Sequence, residues 1–200
     1  MVKKFVLLIL CITAITAYSQ SGDGTVSPYS FGGIGDFRSQ ATIENQAMGG
    51  LSMYTDSIHV NLRNPAAYGK LRLVTYTAAG GHKEVKLKDF TEQESSSVTS
   101  LEYIALAFPL SPKFGVGLGV LPYTAVGYNV FSESTNATQD TVINQFTGDG
   151  GLNKVFLSAG YEITKNLQVG ATVNFSFGNL QYQSVQSVEG VQYGTINTRQ

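Results

Sequence analysis

The sequence predicts an all-β fold, a transmembrane antiparallel β-barrel of the outer membrane. Long segments alternate between apolar and polar residues, as strands with two different faces do. Charged residues are only 14% of the chain, against about 25% in soluble domains. Short turns also alternate with longer polar connections, a pattern typical of outer-membrane barrels. A soluble β-sandwich, whose strands alternate as well, is the competing interpretation.

The first element is a predicted signal peptide at residues 1–19. Lys3 and Lys4 form a positive start, and the apolar stretch 5–15 follows. Ala17 and Ser19 then place small residues at a cleavage site before Gln20. The apolar stretch is about half of what a membrane-spanning helix needs. We therefore expect an exported protein located in the cell outer membrane.

Residues 20–70 have no sustained alternation, and only short helical turns near 40–48 and 62–68 are expected there. Five strands are predicted after them, with a sixth beginning near Gly190. Their predicted ranges are 71–88, 98–110, 113–131, 152–164 and 167–182. The polar, glycine-rich range 132–151 is expected to be a long loop.

The clearest strand is 167–177, in which every odd position is apolar and every even position is polar or glycine. In a barrel, lipid-facing and lumen-facing residues alternate in this way. The odd side is therefore predicted to face lipid, with the residues Leu167, Val169, Val173, Phe175 and Phe177. Outer-membrane lipid is accordingly an expected partner.

The predicted third strand carries Gly115, Gly117 and Gly119 on one face. Glycine weakens a strand interior, so three on one face indicate that another group approaches the backbone closely. The spacing is not that of a nucleotide-binding fingerprint, and Pro122 follows where a helix would be needed.

Composition argues against several classes of function. A net charge of −1 provides no basic surface for nucleic acid. Two histidines, His59 and His82, and no cysteine after the signal peptide argue against a metal site. The sequence contains no recognisable set of catalytic residues. We therefore expect neither an enzyme nor a cofactor, and protein partners are not identifiable from the sequence.

One motif is more specific. The stretch 47–71 reads AMGGLSMYTDSIHVNLRNPAAYGKL. It resembles the N-terminal hatch of the long-chain fatty acid transporter family of Gram-negative outer membranes (FadL/TodX type). The matching residues are Met48, Gly49, Gly50, Asp56, Asn64, Pro65 and Ala66. A simpler interpretation of Asn64 and Pro65 is a helix start, with asparagine as the cap and proline in the first turn.

The resemblance implies a fourteen-stranded barrel plugged by a hatch, here residues 20–70, with the barrel strands in 71–200. It implies passive uptake of hydrophobic molecules such as long-chain fatty acids, with a small hydrophobic substrate as a second partner. The alternative is a non-transport barrel that serves as a scaffold or in type IX-like secretion. Five or six strands are too few for such a barrel, so we expect the chain to supply only part of it.

Overall fold

The computed structural model describes residues 24–88, 93–135, 141–188 and 194–199. The predicted signal peptide lies outside these residues. The fold is mostly antiparallel β-sheet with a few short helices, so the all-β class is confirmed. Among the described residues no helix is long and apolar enough to cross a membrane.

Short elements occupy residues 24–70, which we call the hatch. They are two 3-10 helices, Pro28–Phe31 and Pro65–Lys70, with strand β1 (Asp36–Phe37) and helix α1 (Ile43–Ala47) between them. The strands that follow are β2 (Thr75–Lys88), β3 (Gln93–Ser111), β4 (Phe114–Thr135), β5 (Thr141–Thr164), β6 (Leu167–Val188) and β7 (Thr195–Arg199).

Strands β2 to β7 form one sheet, the wall, in which each strand pairs with the next along the chain. Two-residue turns at 112–113 and 165–166 mark one end, and the other end carries the longer connections. In the described part of the chain β2 and β7 do not pair with each other. The sheet is therefore open, and a closed barrel remains a proposal.

The predicted long loop at 132–151 is wrong. Residues 132–135 continue β4 and residues 141–151 begin β5, while 136–140 lie outside the described residues. The register joins Thr135 to Thr141 and Val142 to Val188. Polar and glycine-rich composition suggested a loop, but pairing with β5 holds 132–135 extended, and pairing with β4 and β6 holds 141–151 extended.

The outward face of the wall is apolar across several strands. Cross-strand pairing aligns Leu106, Leu118, Leu157 and Val173 in one row. The next row contains Ile104, Val120, Val155 and Phe175. Most of these side chains are exposed, and Val173 is 72% exposed. Rows of exposed apolar side chains of this extent mark a surface that meets lipid or another protein.

The opposite, inner face packs against the hatch and forms the hydrophobic core. Tyr68 and Leu71 from the hatch side meet Tyr103, Leu121 and Phe156 of the wall. All five are at most 3% exposed. The N-terminal segment therefore buries the part of the inner face formed by β3, β4 and β5, whereas inner residues of β6 such as Asn174 are exposed. The apolar outward face is left uncovered.

Candidate functional site

The centre of the contact between hatch and wall is a row of three glycines. Gly115 pairs with Gly160, and Gly160 pairs with Gly170, so they lie side by side on β4, β5 and β6. The 3-10 helix Pro65–Lys70 lies directly on this row. A Cβ atom at Gly160 would be 2.7 Å from the backbone nitrogen of Gly69, closer than real Cβ contacts come.

The two other glycines of the row meet the same helix. A Cβ atom at Gly115 would collide with the backbone oxygen of Tyr68, and one at Gly170 with the backbone of Pro65 and Ala66. Gly119, in contrast, is approached by Phe156 and by the backbone of β3. The glycine row is thus a flat seat on which backbone packs against backbone.

Tyr68 fills the next row of the inner face. Its ring lies over Gly117, which pairs with Ser158 on β5. Its phenol oxygen is buried without a hydrogen-bond partner among the described residues, and the nearby Ser158 hydroxyl bonds Thr172 at 2.7 Å. Burial raises the pKa of the Tyr68 phenol. Tyr68 therefore acts as a neutral, largely hydrophobic anchor.

Asn64 and Pro65 start the helix that sits on the glycine row. The Asn64 side-chain oxygen accepts a hydrogen bond from Ala66 N at 3.2 Å, and Pro65 occupies the first turn. This is the helix-cap arrangement that the residue types favour. In this structure the Asn-Pro-Ala motif therefore fixes backbone geometry and brings Ala66 against Gly170.

Asn61, which the sequence analysis did not single out, organises the middle of the hatch. Its amide nitrogen donates to the carbonyls of Ser52 and Tyr54, and its oxygen accepts from the backbone nitrogens of Arg63 and Asn64. The residue is 6% exposed. One buried side chain thus ties the preceding loop to the start of the helix.

The Met-Gly-Gly segment ends helix α1. Met48 is its C-terminal cap, and Gly49 and Gly50 have φ angles of 71° and 82°. Glycine adopts such left-handed angles without the cost that a Cβ atom imposes. Arg63 donates to the Gly50 carbonyl at 3.3 Å, so this turn is joined to the Asn61 region.

Asp56 lies in an exposed turn. One carboxylate oxygen accepts from Ser57 N, and the other is 2.5 Å from Nδ1 of His59. The hydrogen bond with His59, followed by that from Ser57, lowers the pKa of Asp56 below its usual 3.8. The pair shapes the turn and is remote from the glycine row.

The odd residues predicted to face lipid lie on the outward face. Leu167, Val169, Val173, Phe175 and Phe177 are between 43% and 72% exposed. The even residue Gly170 lies on the hatch side. The structure packs Pro65 and Ala66 of the motif on Gly170, while Gly115 and Gly117 meet Tyr68 of the same helix. Met48, Gly49, Gly50 and Asp56 belong to other parts of the hatch. In the described residues no group of three or more His, Cys, Asp or Glu is placed to hold a metal.

A family model described as BamG matches residues 1–200. No curated protein and no solved structure matches the chain. The assignment to the fatty acid transporter family is therefore wrong, and with it the expected uptake of fatty acids. Asn64 caps a helix and Gly49 and Gly50 form a turn, so the motif reports local backbone geometry and identifies no transported molecule.

Proposed function

The chain belongs to the BamG family, and from that premise we propose that it acts in outer-membrane protein assembly, as a membrane-embedded scaffold of the Bam complex. The family is associated with the outer membrane. The family match over residues 1–200 is the observation that carries this proposal. A scaffolding role is also closer to the non-transport alternative that the sequence suggested.

The apolar outward face supports membrane embedding. Its rows cross β3, β4, β5 and β6 in register and contain few charges. Outer-membrane barrels present an apolar band about 25 Å tall to lipid. We propose that these strands cross the outer membrane as part of a barrel wall, with lipid against Val173 and its neighbours.

The packing of the hatch on the wall supports the proposed scaffold role. The hatch is held by backbone contacts on the glycine row and by the core around Tyr68, which is 2% exposed. This seat fixes the hatch against the inner face of β4, β5 and β6. We propose no catalytic role, no cofactor and no nucleic-acid partner, because no residue set suited to those tasks is apparent in the described residues.

Depletion of the protein from its own cells tests the assembly role. We expect the amounts of other outer-membrane barrel proteins in the membrane to fall, with unfolded precursors accumulating in the periplasm. Affinity purification of the tagged protein from detergent extracts should recover Bam components. Normal barrel-protein levels after depletion, together with no recovery of Bam components, would contradict the proposal.

A further inference from the structure

The wall contains a split between β3 and β4. The two strands pair from Ile104 with Val120 down to Ser111 with Phe114. Above that level β3 pairs only with β2, while β4 pairs with β5 and with the short strand β1. Two strand edges therefore diverge from the last apolar row toward the end of the wall that carries the longer connections.

Three local features produce the split. Pro122 has no N–H to donate and stands on β4 immediately after the last paired residues. A bulge at Glu102 interrupts the register of β3 with β2, and a bulge at Tyr123 interrupts that of β4 with β5. Bulges bend the strand that carries them. Because the bulges on β3 and β4 lie at the same height in the sheet, the two strands bend away from each other beyond that point.

The hatch covers the start of the split. In β1, Asp36 pairs with Ala125 and Phe37 with Thr124, both on β4. Arg38 N donates to the Tyr123 carbonyl at 3.0 Å, and the Gln40 side chain donates to the Pro122 carbonyl at 3.1 Å. The N-terminal segment thus pairs with β4 over residues 122–125, the first part of the strand that has no partner on β3.

Arg38 spans the split. Its backbone bonds β4, and its guanidinium Nη2 donates to the Ser100 hydroxyl of β3 at 2.6 Å. Behind it lies a cavity of about 450 Å³ whose lining includes Thr99, Ser100, Thr124, Asp149 and Asn153. The Thr124 hydroxyl and Arg38 Nε are buried without hydrogen-bond partners in the described part of the chain. The site offers hydrogen bonds that the hatch does not use.

The cover is short. β1 is two residues long, whereas the edge of β3 from 93 to 103 and the edge of β4 from 128 to 135 have no strand partner on the split side among the described residues. Uncovered strand edges recruit further strands. The cavity lining also includes the apolar residues Leu101, Leu121 and Ala125, but an acyl chain bound there would leave the backbone groups of both strand edges unpaired. An extended polypeptide would pair with these edges and place its side chains against the mixed lining.

We propose that the split is a strand-acceptor site, closed at rest by β1 and the Arg38 latch, which binds an extended polypeptide segment by β-strand addition. The proposal rests on the proposed function, because protein assembly supplies unfolded chains with alternating residues. The hatch strand β1 occupies this site at rest, and such a segment binds by displacing it. Recognition is through the backbone, so it tolerates many sequences.

The test uses the full-length protein in detergent with the paired substitutions Asp36→Cys and Ala125→Cys, at positions that face each other across β1 and β4. Oxidation joins β1 to β4 and reduction releases it, so one protein serves as its own folding control. The probe is a biotinylated peptide of about ten residues, alternating valine and threonine, with a central benzophenone. A peptide with proline at alternate positions is the control, since proline cannot donate to a strand ladder.

We expect photo-crosslinking of the alternating peptide to 93–103 in the reduced protein, and a roughly tenfold lower yield after oxidation. Arg38→Ala should raise the yield several-fold, whereas the exposed hatch variant Arg63→Ala should not. Equal yields from oxidised and reduced protein, equal yields from the two arginine variants, or no crosslinking at all overturn the acceptor site. A depletion defect in barrel assembly together with equal yields would leave the proposed function standing and remove the acceptor site alone.

Discussion

The ring of Tyr68 lies against the backbone of Gly117, so that a Cβ atom on the glycine would be 2.5 Å from Cζ and 2.7 Å from the phenol oxygen. Tyr68 is 2% exposed. Tyr68 of the hatch can therefore pack here only because the wall residue below it has no side chain. This contact provides the sharpest test of how hatch and wall depend on one another.

Gly117→Ala should destabilise the seated hatch by about 1–3 kcal/mol, because an overpacked contact forces shifts in neighbouring groups. Backbone hydrogen exchange in the segment 65–70 of the full-length protein measures this loss of stability. Gly80→Ala is the matched control, since a Cβ atom there meets its nearest neighbour at an ordinary 3.7 Å. Equal protection in the two variants would contradict the seat.

Tyr68→Phe should leave stability unchanged or slightly raised, because the buried phenol oxygen has no hydrogen-bond partner in the described residues. Tyr68→Ala should cost about 3–5 kcal/mol, as removal of a buried aromatic ring does. Denaturant unfolding of both variants in lipid vesicles measures the difference. A large loss in Tyr68→Phe would show that the hydroxyl holds the hatch.

Asn61→Ala should loosen the hatch by about 1–3 kcal/mol, since four backbone groups lose their partner within a buried site. Limited proteolysis of the folded protein should then cut near residues 52–63. Asn64→Ala, which removes one capping hydrogen bond, should cost about 1 kcal/mol. If Asn64→Ala destabilised the hatch more than Asn61→Ala, the helix cap and not Asn61 would hold this part of the hatch together.

Val173→Arg should cost about 2–4 kcal/mol if the outward face meets lipid near the midplane of the bilayer. Asn174→Arg, one residue on and on the inner face, should be much milder. Folding yield into lipid vesicles and urea titration of both variants measure the two costs. Equal costs would refute the assignment of lipid to the odd side of β6.

Asp56 should contribute stability in a pH-dependent way. Its pKa is lower in the folded chain than its usual 3.8, so its contribution is present above that value and is lost as the pH falls through the lowered pKa. Asp56→Asn should therefore reduce the unfolding midpoint at neutral pH, and the difference from the parent protein should shrink as the pH falls through the lowered pKa. A pH-independent loss in Asp56→Asn would contradict the carboxylate's role.

The sequence predicted the structure best where a residue pattern is compatible with a single backbone geometry. Alternation defined β6 from its first residue, and the turns at 112–113 and 165–166 were located by composition. The predicted end of β6 at 182 was too early, and β5 begins at Thr141 rather than near 152. These errors share a cause. Backbone pairing with long neighbours extends strands through polar residues that show no apolar alternation.

The hatch was harder to anticipate, because its contacts join residues far apart in the chain. Gly160 and Gly170 are separated by ten positions and become neighbours only through the register of β5 and β6. Tyr68 and Asn61 are ordinary residue types in sequence, and their roles arise from burial. Arg38 meets Ser100 across 62 residues. The glycines on a polar face were the available signal, and the sequence analysis applied it to β4 alone.

The length of β5 sets how far the protein reaches. Its 24 residues correspond to about 80 Å along the strand at roughly 3.3 Å per residue. In the proposed barrel, a strand tilt of about 40° would turn this length into about 60 Å along the membrane normal. An apolar band of about 25 Å accounts for less than half of that height. A rigid rim of paired strands would thus stand clear of the lipid headgroups and hold any neighbouring protein at a fixed elevation.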